Sequence, residues 1–433
     1  MSTLRITDGQ VLLPDMRVVD ADVLVDREEG GILDVGRHID AEADETLDAS
    51  GGLVMPGLVN AHCHVAMTLL RGYADDKPLD AWLQEDIWPA EAELTAEDIR
   101  AGAELGMLEM IKSGTTAFAD MYFEVPTLVD AVDEAGLRAR VGHGVVTVVK
   151  DDEGAQADID ESLSVAREYD GAADGRVSTA YMPHSLTTVG EEYLRESVAD
   201  AREDGVPVHF HANETREEVD PIVDERGERP LEYADELGML SPQDFLAHCV
   251  HVDEREIDLL ATRGAAAVHC PASNMKLASG MAPVQRMLDA GVTVGLGTDG
   301  AASNNDLDMF DEMRDAAMIG KLAADDASAV AAGTVVEMAT RGSANAIGVR
   351  SGVVEPGANA DLVVLDLDAP HLAPAHDLVS HLAYAARGSD VRHTVCDGQV
   401  LMRDREVLTM DEAAVVDRAR THARDLVVRA EDA

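Results

Sequence analysis

The stretch LVNAHCHVAM at residues 58–67 is an apolar run that ends in two histidines either side of a cysteine. A short apolar run closed by polar groups reads as a buried strand. Seven more of the same kind follow: TTAFADMY (115–122), RARVGHG (138–144), VSTAYMPHS (177–185), VPVHFHANE (206–214), DFLAHCV (244–250), AAAVHCP (265–271) and VTVGLGTD (292–299). Amphipathic segments of helical period separate them. Strands alternating with helices predict a parallel α/β fold, and eight strands is the number a TIM barrel needs. Between the first two, Thr95, Ala96, Glu97 and Asp98 predict a capping box opening a helix that runs to Lys112, with Gly114 as its stop.

Outside this region the texture changes. RVVDADVLVD and GGILDVG near the start, and GVVEPGANADLVVLDLD and VRHTVCDGQVLMRDREVL near the end, are β-like stretches cut by acidic and glycine turns. The expected architecture is therefore an α/β chain: a (β/α)8 TIM barrel over residues 55–350 and a small β-sandwich domain formed from both chain ends, 1–54 and 351–433. The last 20 or so residues carry helical periodicity and predict a terminal helix.

Composition narrows the possible functions. The chain of 433 residues is 46% apolar, as globular proteins are, yet sets 34 lysines and arginines against 84 acids for a net charge of -50. Only five lysines occur, and the acids are spread evenly along the chain. That pattern fits a protein built for a high-salt cytoplasm, where a short Debye length screens self-repulsion. It also argues against nucleic acids and anionic lipids, which reward a basic face. No basic-then-apolar leader opens the sequence and no apolar run approaches the ~20 residues of a membrane span, so a cytoplasmic location is expected. Four cysteines without Cys-x-x-Cys spacing predict reduced thiols and exclude the zinc deaminases that carry that signature.

Barrel enzymes hold their reactive groups at the C-terminal ends of the strands. Those ends carry His62, His64, His143, His184, His211 with Glu214, His248, His269 and Asp299. Side chains alternate along a strand, so His62 and His64 point the same way and Cys63 points toward the helices. This removes a Cys-His nucleophile. A lone His-x-His is a weak signal, but His211 and Asp299 close distant strands at the same rim. Three nitrogens, one oxygen and an open position suit zinc or another divalent first-row ion. His209, one layer deeper than His211, reads as a packed, hydrogen-bonded interior residue, and His143 as structural.

PGLVNAHCH (56–64), HFHANE (209–214), HCVH (248–251), HCPASNMKLASGMAPV (269–284) and GTDGAASNNDLDMFDEMR (297–314) resemble the amidohydrolase superfamily. Within it the chain is most similar to the 5-methylthioadenosine/S-adenosylhomocysteine deaminase family, and the likeness extends to residues 360–374 and 393–402. The resemblance implies one metal, usually zinc with iron or manganese as alternatives, held by His62, His64, His211 and Asp299. It implies Glu214 as proton donor to ring N1, His248 as the group orienting the attacking water, and Asp299 as the base that carries the water's proton to the departing amine. Glu91 would hold the ribose hydroxyls and His184 would contact the nucleoside. The implied substrates are methylthioadenosine, S-adenosylhomocysteine, 5′-deoxyadenosine or adenosine, giving the inosine analogue and ammonia. A homotetramer or homodimer is implied too. The alternative is a related enzyme acting on another amino- or chloro-substituted ring such as a triazine. Trp82 reads equally as a sugar-packing or a core aromatic, and Lys276 has no assigned role. One departure from the family is that the loop after strand three contains Lys150 and no arginine before Arg167.

Overall fold

A computed structural model describes residues 2–432. The chain opens with β1 (Thr3–Leu12), β2 (Val18–Asp26), β3 (Gly31–Gly36), β4 (Glu45–Asp48) and β5 (Gly52–Pro56). The predicted strands follow as β6 (Leu58–His64), β7 (Thr115–Tyr122), β8 (Arg138–Val145), β9 (Val177–Thr179) with β10 (Met182–Pro183), β11 (His209–Ala212), β12 (Phe245–His248), β13 (Ala266–His269), and β14 (Val294–Leu296) with β15 (Asp299–Gly300). Each is parallel to the next. β6 pairs β7, β7 pairs β8, and β8 pairs both β9 and β10. Bridges Tyr181–Val208 and Ser185–His211 carry the circuit to β11, pairing continues through β12 and β13 to β14, and β15 returns to β6. The ring of eight is complete.

Alternation of side chains divides the barrel into two apolar layers. Phe118, Val141, Phe210 and Leu246 share an outer apolar cluster with Met107, Leu108 and Ile111 of helix Ala96–Ser113, while Ala117, Ala119, Phe245 and Val268 form a separate inner cluster. Helix Ala96–Ser113 begins at the expected capping box, Thr95 with Asp98, and stops at Gly114, whose φ of 89° is the left-handed conformation glycine tolerates.

The remaining strands, β16 (Leu362–Asp366), β17 (Val391–Cys396), β18 (Gln399–Arg403) and β19 (Glu406–Val407), join β1–β5 in one nine-stranded sheet. β16 pairs antiparallel with β5, and β5 runs parallel to β1, so the two chain ends meet at the middle of the sheet. Val11, Val23, Val54, Leu362, Val364 and Val395 share its core. The terminal helix Glu412–Asp432 packs on helix Ala96–Ser113, where His422 Nδ1 lies 2.7 Å from Asp98 and Lys112 Nζ 2.8 Å from Glu412. Among the described residues no helix is long and apolar enough to cross a membrane, and the four cysteines are buried and unpaired.

Candidate active site

The mouth of the barrel is a cavity of about 1090 Å³, lined by His64, His184, His211, Glu214, His248 and Asp299 among others. Each imidazole nearest its floor is held by its Nδ1. His64 Nδ1 donates to Met121 O at 2.6 Å, and His211 Nδ1 to His184 O at 2.8 Å; a carbonyl can only accept, so these tautomers are fixed. His248 Nδ1 meets Asn274 Oδ1 at 2.9 Å. His62 is set through a relay: His209 Nδ1 donates to Phe245 O at 2.6 Å, leaving its Nε2 to accept from His62 Nδ1 at 2.8 Å. In the neutral imidazoles all four Nε2 atoms are thereby left as lone pairs.

Those lone pairs converge on Asp299. His62 Nε2 and His64 Nε2 lie 3.4 Å and 3.2 Å from Asp299 Oδ1, and His211 Nε2 is 3.4 Å from His64 Nε2. His62, His211, His248 and Asp299 also offer ligand atoms all within 4.8 Å of one another. His62 Nε2 is buried without a hydrogen-bond partner, an arrangement that is costly unless something binds there. Hydroxyls of Ser273 and Ser303 donate to Asp299 Oδ2 at 2.6 Å and 2.8 Å, which leaves Oδ1 facing the histidines. Burial disfavours charge here, yet the adjacent imidazoles of His62 and His64 hold the Asp299 carboxyl well below its usual range. Burial likewise opposes the charged form of His64, but the Asp299 carboxylate draws it up to about 9, so the pair shares a proton that a cation would displace. Buried and ringed by other imidazoles, His211 is pushed well below the ordinary range and His184 to about 3. With the proton on His64 displaced, neutral nitrogens, one carboxylate and a supporting shell suit a divalent metal ion.

Glu214 faces the same cavity. Its Oε1 accepts from Ser279 Oγ at 3.2 Å and its Oε2 lies 3.6 Å from His248 Nε2. Burial raises its pKa above the ordinary range, with the Asp299 charge adding to the rise. Asn213, His248 and Asp299 have φ of 52°, 71° and 60°, left-handed values that are rare away from glycine and cluster at working sites. Toward the mouth, Tyr122 donates to Glu91 Oε1 at 2.7 Å, and His184 Nδ1 is 2.9 Å from Thr188 Oγ1.

The chain matches the model of the amidohydrolase family over residues 53–401. It belongs to that family. Amidohydrolase relatives include the 5-methylthioadenosine/S-adenosylhomocysteine deaminase of Haloarcula marismortui, 70% identical over 432 residues that cover 100% of both chains. The protein of the same description from Halobacterium salinarum is 72% identical over 429 residues, 99% of each chain. An adenosine deaminase from Xanthomonas campestris, solved with bound zinc, superposes with a TM-score of 0.92 at 38% identity, covering 99% of both chains.

The structure brings together His62, His64, His211, His248, Glu214 and Asp299, with Glu91 and His184 along the wall of the same cavity. Cys63 sits in the outer apolar layer, 3.8 Å from Asp120, and burial lifts its thiol far above the nucleophilic range. His143 turns away to the helix side, where its Nε2 lies 3.0 Å from Asp158. Trp82 lines the cavity and anchors its indole N–H on Ala74 O at 3.2 Å. Lys276 ties the segment after strand eight, through Ala302 O at 3.0 Å, to the segment after strand one, through Asp75 at 2.6 Å. The supporting residues Tyr122, Ser273, Asn274, Ser279 and Ser303 were not singled out from sequence. A clue existed for two: Ser303 is one helical turn past Asp299, and Asn274 follows the end of strand seven by one turn.

Proposed function

We propose that this chain is a metal-dependent hydrolytic deaminase of adenosine analogues, turning the 6-amino purine of a 5′-substituted adenosine into the inosine analogue and ammonia. Glu214 carries the reading: a buried carboxyl, its pKa raised by that burial, faces the cavity into which the Nε2 lone pairs point. We assign His62, His64, His211 and Asp299 as ligands of one zinc ion, because His248 Nε2 leans toward Glu214 instead. When bound, such an ion lowers the pKa of a water molecule to about 7 and so supplies a nucleophile at neutral pH.

The side chains do the rest. Glu214 protonates N1 as attack at C6 proceeds, which keeps negative charge from building on the ring. His248, its Nδ1 pinned by Asn274, orients the attacking water. Asp299 accepts the water's proton and passes it to the amine as the C6–N bond breaks. Glu91 accepts from the ribose hydroxyls and His184 packs against the nucleoside. We take the barrel, 55–350, as the catalytic domain and the end sheet, 1–54 with 351–433, as its support, in a cytoplasmic homotetramer or homodimer whose size light scattering would give.

The test is ammonia release from adenosine, methylthioadenosine and 5′-deoxyadenosine in high salt. Turnover of at least one, abolished by a chelator and restored by zinc, is expected. Silence on all three with metal bound would refute the assignment.

A further inference from the structure

On the deaminase reading, on which any role for this region rests, the 5′ end of the substrate meets a part of the cavity with a chemistry of its own. With C6 at the floor beside Asp299, Glu214 and His248, N9 and its sugar extend outward past Glu91. Whatever is carried on C5′ therefore reaches the mouth. The mouth is made by the loop after β8 and the segment at residues 79–89 facing it. Val148 and Val149 are 56% and 67% exposed there, opposite half-buried Leu79, Leu83 and Trp88. Large apolar side chains so exposed need an explanation. The loop that carries them is anchored on its N-terminal side: Thr147 N and Val148 N both donate to Thr188 O, at 3.0 Å and 3.2 Å, and Thr147 Oγ1 accepts from Gly190 N at 2.9 Å.

Charge at the mouth is equally one-sided. Among the described residues lining the cavity the only lysine or arginine is Lys150, whereas Asp80 and Glu217 are exposed at the rim. Lys150 is already engaged. Its Nζ lies 2.6 Å from Asp158 Oδ1, and Asp158 is fixed in turn by Val146 N at 2.9 Å and His143 Nε2 at 3.0 Å. Moving the ammonium onto a ligand would strip a mostly buried carboxylate of its cation, which is unfavourable. A carboxylate on the 5′ substituent would thus meet two valines and two acids, and the one lysine near it is spoken for.

We propose that this mouth is a specificity subsite for a short, neutral, apolar 5′ substituent, such as a methyl or methylthio group, and that it discriminates against a 5′ tail ending in a carboxylate. Val148 and Val149 supply the apolar contact, and the Lys150–Asp158 pair withholds the counter-charge.

Parallel measurement of kcat/KM for methylthioadenosine and S-adenosylhomocysteine tests this, with the latter also titrated as an inhibitor of the former. At least a tenfold preference for methylthioadenosine is expected, residing mainly in KM. Val149→Arg should narrow the ratio by supplying a cation, and Asp158→Asn should narrow it by releasing Lys150. Equal or better turnover of S-adenosylhomocysteine by the unaltered chain would overturn the subsite while leaving the deaminase reading intact. No turnover of either would remove both. If V149R changed the oligomer's size in light scattering with the substrate ratio untouched, the valines would be a contact between copies and the subsite assignment would fall.

Discussion

Every histidine around Asp299 has its Nδ1 occupied, so the direction of the remaining lone pair is decided before any ligand arrives. Such preorganisation confines the chemistry to the few groups not tied up this way, and Glu214 is first among them. Glu214→Gln keeps the shape and removes the acidic proton. It should retain one metal per chain by elemental analysis while losing about 10²–10⁴-fold in kcat; near-normal turnover would take Glu214 out of the mechanism. Glu91 gives a pH signature. Burial pushes its carboxyl up to about 7, although the Tyr122 hydroxyl favours the charged form. The folded chain thus holds a proton on Glu91 that the unfolded chain releases from about pH 4.5 upward. The carboxylate that would accept two ribose hydroxyls becomes available only as pH rises through about 7, whereas folding stability from this group declines between about pH 4.5 and about 7 and levels off above that. KM for an adenosine analogue should accordingly rise severalfold between about pH 8 and about pH 6, and Glu91→Gln should flatten that dependence. A profile unchanged by E91Q would count against Glu91 as the sugar's partner.

Strand eight and strand one must meet closely for Asp299 to reach His62 and His64. Asn60 stitches them: its Nδ2 donates to Thr298 Oγ1 at 2.7 Å and its Oδ1 accepts from Thr298 N at 3.0 Å. Gly297 permits the approach, since a Cβ there would fall 2.7 Å from His62 O and 2.8 Å from His62 N. Gly297→Ala should force the ligand strand aside, costing about 1–3 kcal/mol in denaturant unfolding in high salt and weakening zinc retention on dialysis. Wild-type stability with full metal content would show that the strands have room to spare. Much of this architecture is legible in the sequence. Eight apolar runs with chemically active ends, and the box at Thr95, are local patterns of period and capping. The stitch at Asn60 is not, because an asparagine inside an apolar run carries no mark of a partner 238 residues away. The same holds for the end sheet: β-texture at both termini announces strands, but nothing local says that β5 pairs antiparallel with β16 and parallel with β1. Ser273 and Ser279 look like ordinary helix-cap and turn residues, and only the fold turns them toward Asp299 and Glu214.

All five lysines are occupied in the folded chain: Lys77 with Asp86, Lys112 with Glu412, Lys150 with Asp158, Lys276 with Asp75, and Lys321 on the carbonyls of Ala329 and Val330. Such contacts leave the net charge of -50 untouched, so the fold carries a large self-repulsion that only dissolved ions can screen. The Debye length is about 3 Å at 1 M salt and about 10 Å at 0.1 M. At the higher concentration an exposed acid scarcely senses its neighbours, and at the lower it senses many. Unfolding separates the charges, so dilution should favour the unfolded chain. The melting temperature is therefore expected to fall continuously from about 3 M to about 0.1 M KCl, with activity lost in parallel and recovered on restoring salt. Screening can be separated from the general strengthening of burial by excluded solutes. Sucrose at matched osmolality should restore only part of the lost melting temperature, whereas a second chloride salt should restore it fully. A melting temperature indifferent to salt, or rescued equally by sucrose, would mean that the acids are spaced too widely to repel one another.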